Sequence, residues 1–225
     1  MLGQAIGNLL PSAIGVALSP LPIITVILML GTPKGRSNGV AFALGWVVGL
    51  VLVSVIVLLV AGGADDPDSA SSDGVNWFQV ALGVLFLVMA RRQWRSRPRK
   101  GEEPQTPTWL AKVDRITPVA SAGLGVLLSA LNPKNLALTA AAAATIAQAG
   151  LSASDDAIAI VVFVAIASVT VVGPVLAYLV APAKAAGALG HLKEFMADNN
   201  AVIVMIVLLL LGAKLLGQGL GGVTA

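Results

Sequence analysis

The chain has no cysteine, one histidine and one tyrosine, and only 11% of its 225 residues are Asp, Glu, Lys or Arg. Without cysteine there can be no disulfide, no thiolate metal ligand and no thiol redox relay. His191 stands alone in a polar stretch and offers neither a metal site nor a catalytic base. No long apolar segment contains an aspartate or glutamate, which argues against an acid-rich proton relay. The same lack leaves no nucleophile paired with a base inside an apolar segment, so the chain is not expected to be an enzyme. No Gly-x-x-x-x-Gly-Lys-Ser/Thr loop occurs, so any pumping must be driven by an ion, a partner or a downhill gradient. Nothing points to a cofactor.

What fills the chain instead is apolar: 57% of residues are hydrophobic and the mean hydropathy is +0.90. A soluble domain carries about 25% charged residues. The expected class is an all-α integral membrane protein, a single transmembrane domain over residues 1–225. Six spans are predicted: Ile6–Leu30, Gly39–Ala61, Trp77–Ala90, Ile116–Gln148, Ala157–Val180 and Asn200–Leu216. The first has no positive residue before it and is read as retained rather than as a cleaved signal. Gly45 and Gly49 share a face of the second span, a spacing that lets two helices approach closely. Loops are predicted over 62–76, 91–115 and 181–199, with a short one at Asp155-Asp156 and a bend at Gly173-Pro174.

The loops after spans one, three and five hold twelve of the fourteen Lys and Arg residues; those after two and four hold six acids and no base. Positive-inside asymmetry then places both termini outside and the 91–115 loop in the cytoplasm. That loop, with Arg91, Arg92, Arg95, Arg97, Arg99, Lys100, Lys112 and Arg115 beside Trp94 and Trp109, is read as facing lipid headgroups rather than nucleic acid.

Two basic residues remain inside spans. Lys214 lies near the end of the sixth, where its stem can snorkel to the interface. Lys134 sits in Leu131-Asn132-Pro133-Lys134-Asn135, with no other ionisable side chain from Ile116 to Gln148. As one helix that segment would be roughly 50 Å long against a hydrocarbon core of roughly 30 Å, so Asn132-Pro133 is expected to divide it. Ser19-Pro20-Leu21-Pro22 should break the first span in the same way. Gly15–Leu21 aligns with Gly125–Leu131, with Pro22 falling opposite Asn132. Each break opens a half of three spans (repeat 1, 1–90; repeat 2, 116–225), and an odd number of spans inverts one half against the other. Inverted repeats with first helices broken near the midplane are a recurrent transporter plan, with substrate bound at the breaks.

The predicted substrate-binding residues are therefore Asn132, Lys134 and Asn135, with the hydroxyls of Ser19, Thr25, Ser129 and Thr139. Pro20, Pro22, Pro133 and Pro174 are the predicted break or gating positions. Together they suit an anionic or heavily hydroxylated group. The plainer account is a Pro-Asn kink that satisfies its own backbone; it explains Lys134 poorly, because an ammonium at the bilayer centre costs at least about 2.5–3.5 kcal/mol.

Ser19–Leu30, Thr32-Pro33-Lys34-Gly35-Arg36, Leu131–Leu138 and Gly173–Tyr178 together resemble the actinobacterial GAP family, the peptidoglycolipid- or sulfolipid-addressing proteins, within the lysine-exporter superfamily. The resemblance implies six spans, plasma-membrane location and export, or assistance in export, of cell-envelope glycolipids. The implied partners are membrane lipids, a glycolipid substrate and other envelope-lipid export proteins; the Gly-rich faces suit a homodimer. Two other readings share the architecture. One is a small-molecule exporter of amino-acid type, although Lys134 would repel a cation. The other is an accessory scaffold that works through the 91–115 loop.

Overall fold

Proline opens four of the helices. The first N–H of a helix has no partner within the helix, so a proline there loses nothing and its fixed φ is already helical. The computed structural model describes residues 1–62, 77–95 and 116–220. Among these every regular element is helical: α1 (Leu2–Ala17), α2 (Pro20–Leu30), α3 (Gly35–Gly62), α4 (Trp77–Arg95), α5 (Pro118–Val126), a π turn (Leu127–Leu131), α6 (Pro133–Gln148), α7 (Ala153–Val180) and α8 (Pro182–Leu220).

The first break follows from two missing donors. Pro20 and Pro22 have no N–H to give the carbonyls of Val16 and Leu18, four residues earlier. Proline also pushes its predecessor out of the helical region, and Ser19 is extended at φ −99°, ψ 102°. α1 and α2 therefore meet at a 52° bend. The second break repeats the device: Asn132, before Pro133, is extended at φ −67°, ψ 118°, and the turn ahead of it has relaxed from α to π. Matched on geometry, Ser19-Pro20 corresponds to Asn132-Pro133. That is three positions away from the alignment of Gly15–Leu21 with Gly125–Leu131.

Several expectations need correction. The 181–199 segment is not a loop: Pro182 starts a helix that no later proline interrupts, and it runs on through Leu220. Asp155 and Asp156 lie in the first turn of α7 rather than in a loop, where carboxylates suit the positive end of the helix dipole. The Ser152 hydroxyl caps that turn, accepting the Asp155 N–H at 3.3 Å. Arg91–Arg95 are the end of α4, not the start of a loop. α7 passes through Gly173-Pro174 unbroken. The acidic segment 63–76, the basic segment 96–115 and residues 221–225 lie outside the described residues.

Three helices, Gly35–Val60 of α3, α7 and Pro182–Gly217 of α8, are long and apolar enough to cross a membrane, and the bent α1–α2 pair makes a fourth. Among the described residues, length and composition thus mark three spans, or four with the bent pair. The break at Asn132 leaves α5 and α6 each shorter than the roughly 20 residues a straight span needs, and the arginines of α4 dilute its apolar run. Large apolar residues also face outward, Leu59 at 69% and Val60 at 70% exposure. A helix apolar on its outer face as well as its inner one belongs in lipid.

By contacts the chain divides into two compact units, Met1–Gly62 with Pro104–Asp198 and Gly63–Glu103 with Asn199–Ala225, and the division falls within α8. In the first, α3 packs on α5, α1 on α6 and α7, and α2 on α3 and α7. The contact of α3 with α5 and the π turn is the closest kind: a Cβ on Gly45 would overlap the Ala122 carbonyl, one on Gly49 the Ser129 hydroxyl, and one on Gly125 the Phe42 carbonyl. Phe42, Trp46, Leu50, Leu138 and Phe163 fill the core around it. Trp46 is therefore packing, not an interfacial anchor. In the second unit α4 and the 199–220 part of α8 meet at Gly83 and Gly212, where a Cβ on either would come 3.0 Å from the other's carbonyl oxygen.

Candidate functional site

The two breaks meet. Ser19, at the N-cap of α2, donates its hydroxyl to Asn135 Oδ1 at 2.7 Å. Asn135 Nδ2 donates back to the Leu128 carbonyl in the π turn at 2.9 Å. Asn132 caps α6 by accepting the Lys134 N–H on Oδ1 at 3.1 Å. The Lys134 ammonium reaches across to the end of α1 and donates to the carbonyls of Gly15 at 2.8 Å and Leu18 at 3.4 Å.

The first break explains this arrangement. Pro22 cannot satisfy the Leu18 carbonyl, and the chain turns away at Ser19, so the last turn of α1 presents open acceptors. Lys134 takes two of them, and Thr170 Oγ1 of α7 takes a third, the Ala17 carbonyl, at 2.6 Å. A cation in the first turn of its own helix sits at the wrong end of that helix's dipole. Lys134 is placed there, at the second helical position of α6, because its partner is the negative end of α1. The side chain is 7% exposed, Asn135 0% and Ser19 3%. No carboxylate pairs with Lys134 among the described residues, so backbone dipoles carry the compensation. An ammonium has three donors, and two are engaged here.

Of the residues predicted for the site, Ser19, Asn132, Lys134 and Asn135 come together. Pro20, Pro22 and Pro133 shape the two breaks. Thr25 is fully buried but donates to Leu21 of its own helix at 2.7 Å. Ser129 likewise bonds the carbonyls of Gly125 and Val126 at 2.9 and 3.1 Å, and it is the group Gly49 makes room for. Thr139 is fully buried with no partner for its hydroxyl among the described residues. Pro174 breaks nothing. Thr170 and the α1 carbonyls were missed. The carbonyl of Leu18 could have been found by counting four residues back from Pro22, whereas nothing in the sequence singles out Thr170.

Separately, α3 and α7 form an apolar groove of about 820 Å³. Val51, Val161, Val164 and Val169 line it together with Ser168, whose buried hydroxyl has no partner among the described residues.

Ser19→Ala is expected to destabilise the fold by about 1–3 kcal/mol, because it leaves Asn135 Oδ1 buried without a donor. Ser37→Ala removes an exposed bond to Lys34 and should change little. Thermal unfolding of both variants in mild detergent checks this pair.

Three comparisons with known proteins bear on the reading. No curated protein and no solved structure gives a match. The family model of Sap, the sulfolipid-1-addressing protein, matches residues 9–221, a range that includes both breaks, Lys134 and Thr170. The chain belongs to the sulfolipid-1-addressing protein family.

Proposed function

We propose that this chain exports a sulfolipid-type glycolipid of the cell envelope from the plasma membrane, or assists its export, and that the joined breaks are the moving part. The observation that carries the reading is the Lys134 bond to Gly15 and Leu18. An ammonium buried against carbonyls, with no carboxylate partner among the described residues, can trade those weak dipolar partners for an anionic headgroup. The Leu18 contact, at 3.4 Å, is the one to yield first. Ser19 and Asn135 part as the halves separate, and their amide and hydroxyl groups then face the headgroup.

In this proposal α1–α2, α3 and α4 form one half, and α5–α6, α7 and the end of α8 the other. The two halves are inverted, the termini lie outside and 96–115 lies in the cytoplasm. The shared extended-residue-then-proline geometry of the two breaks supports the inversion, and the charge distribution supports the orientation. The groove on α3 and α7 suits acyl chains that stay in lipid while the headgroup crosses, so no closed channel is required. A basic small molecule fits less well, because the cation at the lock would repel it. The cycle needs no covalent chemistry.

The test is a strain of the native host lacking the chain, with envelope sulfolipid measured at the cell surface and in the cell interior. Export predicts less lipid outside and more inside, restored by the intact gene. Unchanged surface lipid overturns the reading. A chain lacking 96–115 separates exporter from scaffold: it should restore surface lipid if the breaks do the work, and fail if the segment is a docking site.

A further inference from the structure

A second concavity lies far along α2 from the lock. It has a volume of about 300 Å³ and is bounded by the end of α2, the last turns of α7 and the first half of α8. Ile27, Leu28 and Leu189 give it an apolar floor, and Tyr178 and Lys193 supply its polar side chains. Neither of these has a hydrogen-bond or ion-pair partner among the described residues.

Its position is informative. α2 ends at Leu30, α7 ends at Val180 and α8 begins at Pro182, so the pocket lies where apolar helices give way to polar sequence. The turn after α2 carries Lys34 and Arg36, and Arg36 Nη2 donates to the Leu179 carbonyl at 3.3 Å, next to Tyr178. The helix C-termini here would by themselves repel an anion, but several of their carbonyls are already bonded. Gly31 N–H covers Ile27 and Leu28, Thr32 covers Met29 through both N–H and hydroxyl, and Arg36 covers Leu179. The polar side chains lining the cavity are a cation and a phenol above an apolar floor. A lone lysine or tyrosine at this depth would be an ordinary interfacial anchor. Here both line one ligand-sized hollow between three elements, and the neighbouring charges in the turn have the same sign.

We propose that this pocket binds the phosphate or sulfate ester headgroup of a single anionic membrane lipid. Lys193 is the charge partner, the Tyr178 hydroxyl donates to an ester oxygen, and Ile27, Leu28 and Leu189 take the first methylenes. Arg36 is a positioning residue that holds the Tyr178 turn. The site stands on its own geometry, whether or not the chain exports lipid.

The full chain is purified in neutral detergent and mixed with phosphatidylcholine containing a small fraction of phosphatidylglycerol or of a sulfated galactolipid, and retained lipid is counted by native mass spectrometry. One anionic lipid retained per chain, with phosphatidylcholine lost, is the expected result. Lys193→Gln should weaken retention roughly tenfold or more, the size of one charge-assisted hydrogen bond. Leu189→Trp, which fills the hollow and keeps the lysine, should also expel the lipid. Lys184→Gln, on the same helix but outside the pocket, should not. Equal retention by the Lys193 variant, or equal loss from the Lys184 variant, overturns the site, as does displacement by inorganic sulfate at the same concentration as the lipid. Preference for the sulfated lipid would mark the site as a waiting position for cargo, and equal binding of phosphatidylglycerol as a seat for bulk lipid. Binding is read without export, so loss of this site leaves the export reading standing, and loss of export leaves the site standing.

Discussion

Gly45→Leu is expected to prevent the chain from accumulating as a folded protein. A Cβ at this position overlaps the Ala122 carbonyl oxygen and comes 2.8 Å from its carbon and 2.9 Å from its Cα. All three are backbone atoms, so no rotamer change on α5 can relieve the overlap. Gly125 meets the same interface from the other side, where a Cβ would overlap the Phe42 carbonyl and lie 2.7 Å from the Trp46 nitrogen. To admit a side chain the two helices must separate along their whole contact. That loosens the core around Phe42 and Trp46 and breaks the seat of Ser129 against Gly49. Overpacking costs about 1–3 kcal/mol when side chains can adjust, and more when they cannot, against a total stability of about 5–15 kcal/mol. Gly123→Ala, on the same helix, is the control: nothing lies within 4 Å of its Cβ position, and alanine should gain about 0.5–1 kcal/mol there. Yield and thermal unfolding in detergent measure both. A Gly45→Leu protein that melts like the parent would show that α3 and α5 do not approach as described.

That interface was legible in advance because glycines four residues apart on an apolar helix have one common use, close approach. The breaks were legible for a similar reason: Ser19-Pro20-Leu21-Pro22 and Asn132-Pro133 remove donors, and a missing donor has a fixed consequence four residues upstream. The acceptors of Lys134 were hidden because they are carbonyls, which every residue carries and no side chain announces. Thr170 was hidden because a single hydroxyl within a long apolar helix looks like any other. The π turn at Leu127–Leu131 has no compositional mark. The stretch from Pro182 to Asp198 was misread because hydropathy reports polarity, not conformation: Lys184, His191, Lys193, Glu194 and Asp198 suggested a loop, whereas its alanines and the absence of a later proline make it helical. The division of Ile116–Gln148 at Asn132 was legible in advance, because an apolar segment of that length cannot fit a bilayer as one straight helix.

Lys134→Met is expected to separate folding from function. Removing the ammonium leaves the carbonyls of Gly15 and Leu18 without a donor, at about 1–3 kcal/mol each. It also removes the cost of holding a charge in an apolar interior, at least about 2.5–3.5 kcal/mol. The two effects oppose each other and are of similar size, so the melting temperature should move far less than in Gly45→Leu. Methionine is chosen over alanine because its flexible stem fills the space the lysine stem occupied, so no cavity term confuses the result. A thioether cannot hold an anionic headgroup, so surface lipid in the complemented strain should fall roughly tenfold or more, the scale of one charge-assisted contact. Lys134→Arg is the informative companion. It keeps the charge but replaces three compact donors by a planar fork of five, which two carbonyls of one helix end do not match at 7% exposure. It should restore part of the export and lower the stability. A methionine variant that melts like the parent and exports like it would reduce Lys134 to a cap for the end of α1 and move the headgroup site elsewhere. A methionine variant that fails to fold would show that the lock is structural before it is anything else. The proposed mechanism requires the remaining outcome, a stable protein that leaves its lipid inside, because only then is the ammonium needed more by a passing anion than by the two carbonyls that hold it at rest.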